Sequence, residues 1–256
     1  MSNAQPTATI GSVLFAGFCY VVTLVGLTSF IAFVSGLGLP LDVNTGPAWP
    51  KGLAVLADVG LVLAWGLQHS VMARARFKRW CTQWIPLHTE RAVYCLASGA
   101  TLLAVCALWV PIEGDLWRLE GPGAIALRIA QASGWAVLLA ASFELDHFEL
   151  FGLSQPWRAY RGLAEPQVPF QQRFLYRVVR HPIQLGVLIG VWITPHMTLG
   201  HLLFAAAMTL YIQVGLYFEE RALLREHGQT YRDYMLRVPR LIPGLLPSPA
   251  AAEPVA

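Results

Sequence analysis

Between Ile10 and Val34 the chain carries no charged residue, and that stretch limits the fold more than any other feature. About 20 predominantly apolar residues suffice for a helix to cross the hydrocarbon core of a bilayer. Inside lipid every backbone N–H and C=O must be paired within the protein, so a crossing segment is either a helix or part of a closed barrel. Further apolar runs follow at Leu53–Val71, Ala92–Val110, Ala124–Leu145 and Ile183–Phe218, with no series of short alternating strands. Only 13% of the residues are charged and 55% are hydrophobic, whereas a soluble domain carries about 25% charge. The expected fold is all-α, a polytopic membrane helical bundle.

The first run has no Lys or Arg before it and is longer than the apolar core of a secretory signal, so it is expected to remain as a membrane helix. The last run is interrupted by "TPHMTLGH" (194–201), whose proline and glycine predict a tight helical hairpin. Its first arm, Ile183–Ile193, is too short to cross the full core alone, so the helix either starts earlier, near Tyr176, or crosses only partly. The count is therefore five to six crossings, followed by an amphipathic tail helix. Residues 1–247 are expected to form one integral membrane domain, and the Pro/Ala-rich residues 248–256 a disordered tail.

The placement of positive charge gives orientation. Arg74, Arg76, Lys78, Arg79 and Arg91 lie between the second and third runs. Arg158, Arg161, Arg173, Arg177 and Arg180 precede the hairpin, and Arg221, Arg225, Arg232, Arg237 and Arg240 follow it. Only Lys51, Arg118 and Arg128 remain for the other side. With six crossings the three rich groups share one face, which the positive-inside rule makes cytoplasmic. The four cysteines show no motif spacing and are expected to be packing residues. Neither a metal site nor a nucleic-acid partner is expected. Oligomeric state is left open.

Polar residues in or beside such helices point to function. Asp58, Trp65 and His69 are spaced i, i+7, i+11, one helical face. "FELDHFELFG" (143–152) puts Glu144, Asp146, His147 and Glu149 close together, with Glu144 and His147 as i, i+3 neighbours. A carboxylate beside a histidine can orient it and raise its basicity, so Asp146 with His147, or His69, are the candidate catalytic residues. In "RVVRHPIQLG" (177–186) Pro182 reads as the first residue of a helix, with His181 at its N-cap. The free N–H groups there, with Arg177 and Arg180, suit an anion. The stretch is equally a positive flank. In "YFEERALLREHGQTYRDYMLRVPRLIP" (217–243), Glu219 or Glu220 could bond ribose hydroxyls or an amine. Tyr231 and Tyr234 could pack on an aromatic ring or anchor at the interface.

Taken together, "RHPIQLG", "FEERALLREHGQTYRDYMLRVP" and their separation of about 35 residues resemble the isoprenylcysteine carboxyl methyltransferase and phospholipid methyltransferase superfamily of membrane enzymes. "LQHSVMARARFKRW", "ERAVYCLASG" and "DHFELFGLSQPW" narrow the resemblance to its methanethiol S-methyltransferase branch, over nearly the whole chain. The resemblance implies an S-adenosylmethionine pocket within 175–243, on the cytosolic side of a bacterial inner membrane. Its walls would be Tyr176, Arg180, His181, Pro182, Gln184, Leu185, Gly186, Glu219, Glu220, Tyr231 and Tyr234. Gln184 stands where the family pattern has Tyr. The implied reaction methylates methanethiol to dimethyl sulfide, with hydrogen sulfide as a second acceptor, by SN2 transfer to a thiolate. Free thiols are mostly protonated at neutral pH, so a base would help. The donor's positive charge could instead acidify the thiol. Alternatives are methylation of a prenylcysteine carboxylate or lipid amine, a haem-binding protein of the NnrU-like kind with His69, His147 or His181 as iron ligand, and a non-catalytic membrane binder.

Overall fold

A computed structural model describes residues 8–37, 40–166, 170 and 172–245. The expected tail, 248–256, lies outside the described residues. In chain order the elements are α1 (Ile10–Ser35), α2 (Lys51–Met72), α3 (Ala75–Cys81), α4 (Leu87–Leu108), β1 (Asp115–Arg118), α5 (Gly121–Glu144), α6 (His147–Leu150), α7 (Ser154–Tyr160), α8 (Phe174–Val178), α9 (Pro182–Trp192), β2 (His196–Thr198), α10 (Leu199–His227) and α11 (Gln229–Arg237). The two strands pair as a minimal sheet, and everything else regular is helical.

Five helices, α1, α2, α4, α5 and α10, are long and apolar enough to cross a membrane. Helix α9, the first arm of the hairpin, has 11 residues, about 16 Å at the usual rise per residue. It does not extend back to Tyr176. That tyrosine lies in the separate α8, and Val179 after it is extended at φ −141° and ψ 151°. The break follows from Pro182, which cannot sit inside a helix and biases the residue before it away from helical geometry. The amphipathic stretch after Glu220 is not a separate helix either. It continues α10 to His227, and Gly228, at φ 55°, starts α11.

The chain forms two compact units, one within residues 1–117, 145–167 and 197–204, the other within 118–144, 168–196 and 205–256. The first unit is built on α1 crossing α4. A Cβ placed on Gly26 would stand 2.3 Å from the carbonyl oxygen of Gly99, and one on Gly99 would stand 2.6 Å from the Cα of Thr23. Lipid tails are as apolar as leucine, so helices in a membrane gain from close backbone approach rather than from burying oil. Beyond the crossing, Phe33, Trp109 and Phe204 interlock with ring centroids 5.2–5.9 Å apart. Asp58 is fully buried on α2, and its Oδ1 accepts the Val110 amide at 2.9 Å. That amide lies just beyond the end of α4, so the carboxyl ties the two helices together.

The second unit repeats the device with α5 and α9. A Cβ on Gly134 would lie 2.8 Å from the Gly186 carbonyl oxygen, and one on Gly186 would lie 2.6 Å from that of Gly134. One turn along α9, Gly190 admits the edge of Trp135, and its carbonyl accepts from Gln131 at 2.8 Å. The chain after α11 returns to α9, where the Arg180 amide donates to Pro239 and the His181 amide to Arg240. Gly99→Leu and Gly134→Leu should each force a crossing apart, at a cost of about 1–3 kcal/mol as overpacking generally does. Thermal unfolding in detergent should show a lower midpoint for both, while Gly60→Leu, which meets open space, leaves it unchanged.

Candidate functional site

All eleven residues expected around the cofactor lie in the second unit, and the three candidate catalytic residues, His69, Asp146 and His147, lie in the first. In the second unit the hub is Glu220. Its Oε1 accepts from Arg180 Nε at 2.8 Å and stands 3.1 Å from His181 Nε2, and Oε2 stands 3.3 Å from Arg240 Nε. Arg180 also donates to the carbonyls of Met235, at 3.1 Å, and Val238, at 2.6 Å. Its guanidinium, expected to grip a ligand carboxylate, is buried and braces the segment after α11. Glu220 likewise is occupied by the protein's own cations. Glu219 beside it is 48% exposed at its side chain and 3.9 Å from His181 Nδ1.

Pro182 is the first residue of α9 and His181 its N-cap, as expected, without a side-chain capping bond. Gln184 is half-buried. Leu185 packs in an apolar cluster with Ile212, Leu216 and Leu241. Gly186 lies at the α5 crossing.

The tyrosines form a second feature. Tyr231 and Tyr234 pack edge to face, 5.7 Å apart, and both meet Phe170. Tyr234 donates to the Tyr176 carbonyl at 2.5 Å. Tyr231 is only 1% exposed, and its hydroxyl has no hydrogen-bond partner among the described residues. Burial, with nearby glutamates adding, pushes the Tyr176 and Tyr231 phenols above their ordinary range, and burial pushes Tyr234 up to about 12. All three are therefore neutral at physiological pH. An unpaired buried hydroxyl costs about 1–3 kcal/mol, so this one is a place where a ligand atom would be gained at no cost to existing bonds.

In the first unit the sequence reading needs correcting. Helix α5 ends at Glu144, Asp146 takes the left-handed conformation at φ 68°, and His147 opens the short α6. Glu144 and His147 are thus not i, i+3 neighbours on one helix, and Glu144 instead accepts the Leu175 amide. The Asp146 carboxylate caps α6 by accepting the Glu149 amide at 3.1 Å. The partner of His147 is Tyr20 on α1, whose hydroxyl stands 2.9 Å from Nε2. Phe148 and Phe151 close around the ring. A lone phenol in the otherwise apolar α1 was the signal for Tyr20. Glu149 binds Arg158 through both its oxygens.

His69 is likewise held by hydroxyls. Ser98 Oγ stands 3.0 Å from Nδ1, and Tyr94 OH stands 2.9 Å from Nε2. Trp65 stacks on the imidazole at 5.4 Å and 27°, so the face of α2 read from spacing is present. Tyr94 and Ser98 are i, i+4 on α4 and lie within the quoted "ERAVYCLASG", yet neither was singled out. Arg91 links the two histidine clusters. Its guanidinium lies 5.0 Å over the Tyr94 ring and its Nε donates to the Leu150 carbonyl at the end of α6. Among the described residues no three His, Cys, Asp or Glu side chains gather as a metal site.

The chain is 41% identical to a methanethiol S-methyltransferase from a Pseudomonas strain, covering 91% of this chain and 90% of that one. It is 42% identical to a methanethiol S-methyltransferase from Mycobacterium tuberculosis, covering 91% and 96%. The chain belongs to the methanethiol S-methyltransferase family. Nurim from Danio rerio is a more distant relative, 29% identical over 62% of this chain and 61% of its own. No protein-family model and no solved structure matches.

His147 lies outside the membrane helices, and burial holds it below its ordinary value near 6.5 although Asp146 pulls the other way. The folded state therefore stays neutral where the unfolded chain takes up a proton. Its contribution to stability is complete above about pH 6.5 and is lost as pH falls through the lower folded value. The unfolding midpoint should drop between pH 7 and 5, and His147→Gln should flatten that dependence. An equally steep drop in the variant would exclude His147 as its source.

Proposed function

We propose that this protein transfers a methyl group from S-adenosylmethionine to methanethiol, releasing dimethyl sulfide, with hydrogen sulfide as a second acceptor. The reading rests first on the family, whose members named above act on methanethiol by name over nearly the full length of the chain. The relatives' names favour a small thiol over a prenylcysteine carboxylate, a lipid amine or haem.

The observation in the second unit that carries the cofactor is Tyr231, a buried hydroxyl with no partner. Bound there, S-adenosylmethionine supplies an electrophilic methyl group on a sulfonium. Tyr231 would donate to it, and Tyr176 and Tyr234 would present π-faces, which attract cations as well as rings. Glu219, half-exposed beside His181, would receive a hydroxyl or amine. Pro182 and the first amides of α9, with Gln184, Leu185 and Gly186, would form the floor. Arg180, His181 and Glu220 hold these elements at fixed spacing. Arg180 then serves the pocket by bracing it rather than by touching the ligand carboxylate. In the first unit His69, and His147 with Asp146 beside it, are the groups able to take a thiol proton. An SN2 transfer then needs chiefly alignment and exclusion of water. The charged donor enters from the cytoplasmic side, where the arginine-rich segments are expected to lie, in a bacterial inner membrane.

Purified protein given S-adenosylmethionine and methanethiol should produce dimethyl sulfide in headspace gas chromatography, and no product above the no-enzyme control would sink the reading. Tyr231→Phe removes one hydroxyl and nothing else. It should weaken S-adenosylmethionine binding about 3- to 10-fold, the worth of one net hydrogen bond. The melting temperature of the ligand-free protein should stay level or rise, because an unpaired buried group is gone. Unchanged affinity by calorimetry would remove Tyr231 from the pocket.

A further inference from the structure

The short helix α3 lies in the link between two consecutive spans, α2 and α4. One span ends where the other begins, on one side of the bilayer, so the link runs along the membrane surface. No residue of α3 is buried. Its hydrogen bonds continue as a helical turn to Ile85, whose amide donates to the Cys81 carbonyl at 3.1 Å. Arg76, Trp80 and Trp84 therefore follow one another at intervals of four along one face, with Arg79 beside them. Trp80 is 56% exposed and Trp84 77%, and both arginines are exposed. The other face turns to the protein. Phe77 and Cys81 are half-buried there, and Lys78 Nζ stands 3.9 Å from Glu90 Oε2 on α4.

Charge on this link is one-sided. No Asp or Glu lies between Asp58 and Glu90 in the chain, whereas Arg74, Arg76, Lys78 and Arg79 do. Among the described residues Arg76 and Arg79 have no carboxylate partner. Two guanidinium groups three residues apart on a helix can close on one phosphodiester, whose oxygens match their fork geometry. Tryptophan rings settle at the level of lipid headgroups. Unpaired arginines and exposed tryptophans on one face of a surface helix are thus the complement of an anionic lipid.

We propose that this face of α3 binds the headgroup of an anionic phospholipid of the protein's own bilayer. Arg76 and Arg79 hold the phosphodiester, and Trp80 and Trp84 lie along the glycerol and the upper acyl chains. The site is contained in the first unit and does not depend on the methylation reading. It differs from a positive flank, which only counts charge in a loop, because it discriminates between lipids by headgroup.

Native mass spectrometry of the full-length protein in non-ionic detergent tests this, with dioctanoyl phosphatidylglycerol as the anionic lipid and dioctanoyl phosphatidylcholine as the zwitterionic one. A basic residue at an anionic surface strengthens attachment about fivefold. The wild type should hold the anionic lipid at least about fivefold more tightly than the other. Arg76→Gln and Arg79→Gln should each lose about fivefold for phosphatidylglycerol and less than about twofold for phosphatidylcholine. Their ligand-free melting temperatures should match the wild type, since both side chains are exposed. Arg232→Gln removes the same charge from an exposed position on α11, and an equal loss there would mean diffuse attraction and overturn the site. Trp84→Ala should weaken both lipids alike, because the ring meets the part they share. Inorganic phosphate at millimolar concentration should not displace the lipid, and displacement would make the face a site for soluble anions instead. Equal affinity of the wild type for the two lipids defeats the proposal.

Discussion

The second unit depends on one buried carboxylate. Glu220 sits on α10 and receives Arg180 and His181 from the entry of α9 and Arg240 from the chain beyond α11. Three elements distant in sequence meet at two oxygens. Taking an anion out of water is costly, and a single cation rarely compensates. Here the carboxylate has three partners, and Arg180 in turn satisfies two backbone carbonyls of the C-terminal segment. Removing one member of such a network leaves the others buried and unpaired, so the cluster acts as a unit. Its position explains why "RHP" and "FEER" belong together in the sequence. They are two sides of one electrostatic clamp.

The membrane helices were legible because their cause is local. A run without charge needs no tertiary information to be read as a span, and Pro182 opens α9 for reasons contained in one residue. The glycines were harder. Gly186 was read as cofactor floor because it follows the Arg-His-Pro entry, and the structure adds a packing role against the Gly134 carbonyl of α5. Gly26 and Gly99 gave no sequence signal at all. Whether a glycine admits a helix or a ligand depends on what lies opposite, which no single-sequence pattern states.

The same limit applied to histidine. Adjacency in sequence suggested Asp146 for His147 and carboxylates generally as the partners of a base. Asp146 proved to be a helix cap, because a left-handed residue between α5 and α6 turns its side chain to the Glu149 amide. The phenols that stand against the two rings, Tyr20 and Tyr94, come from helices 127 and 25 residues away. Those distances in the chain are beyond any motif.

That both histidines are held by phenols has a physical reason. A carboxylate bound to a buried imidazole would either ionise the pair, with its full desolvation cost, or leave a protonated acid competing as a donor. A phenol stays neutral, donates one short hydrogen bond and keeps the ring in a single tautomer. The stacked Trp65, the Ser98 hydroxyl and Arg91 over the Tyr94 ring restrain the His69 imidazole between α2 and α4.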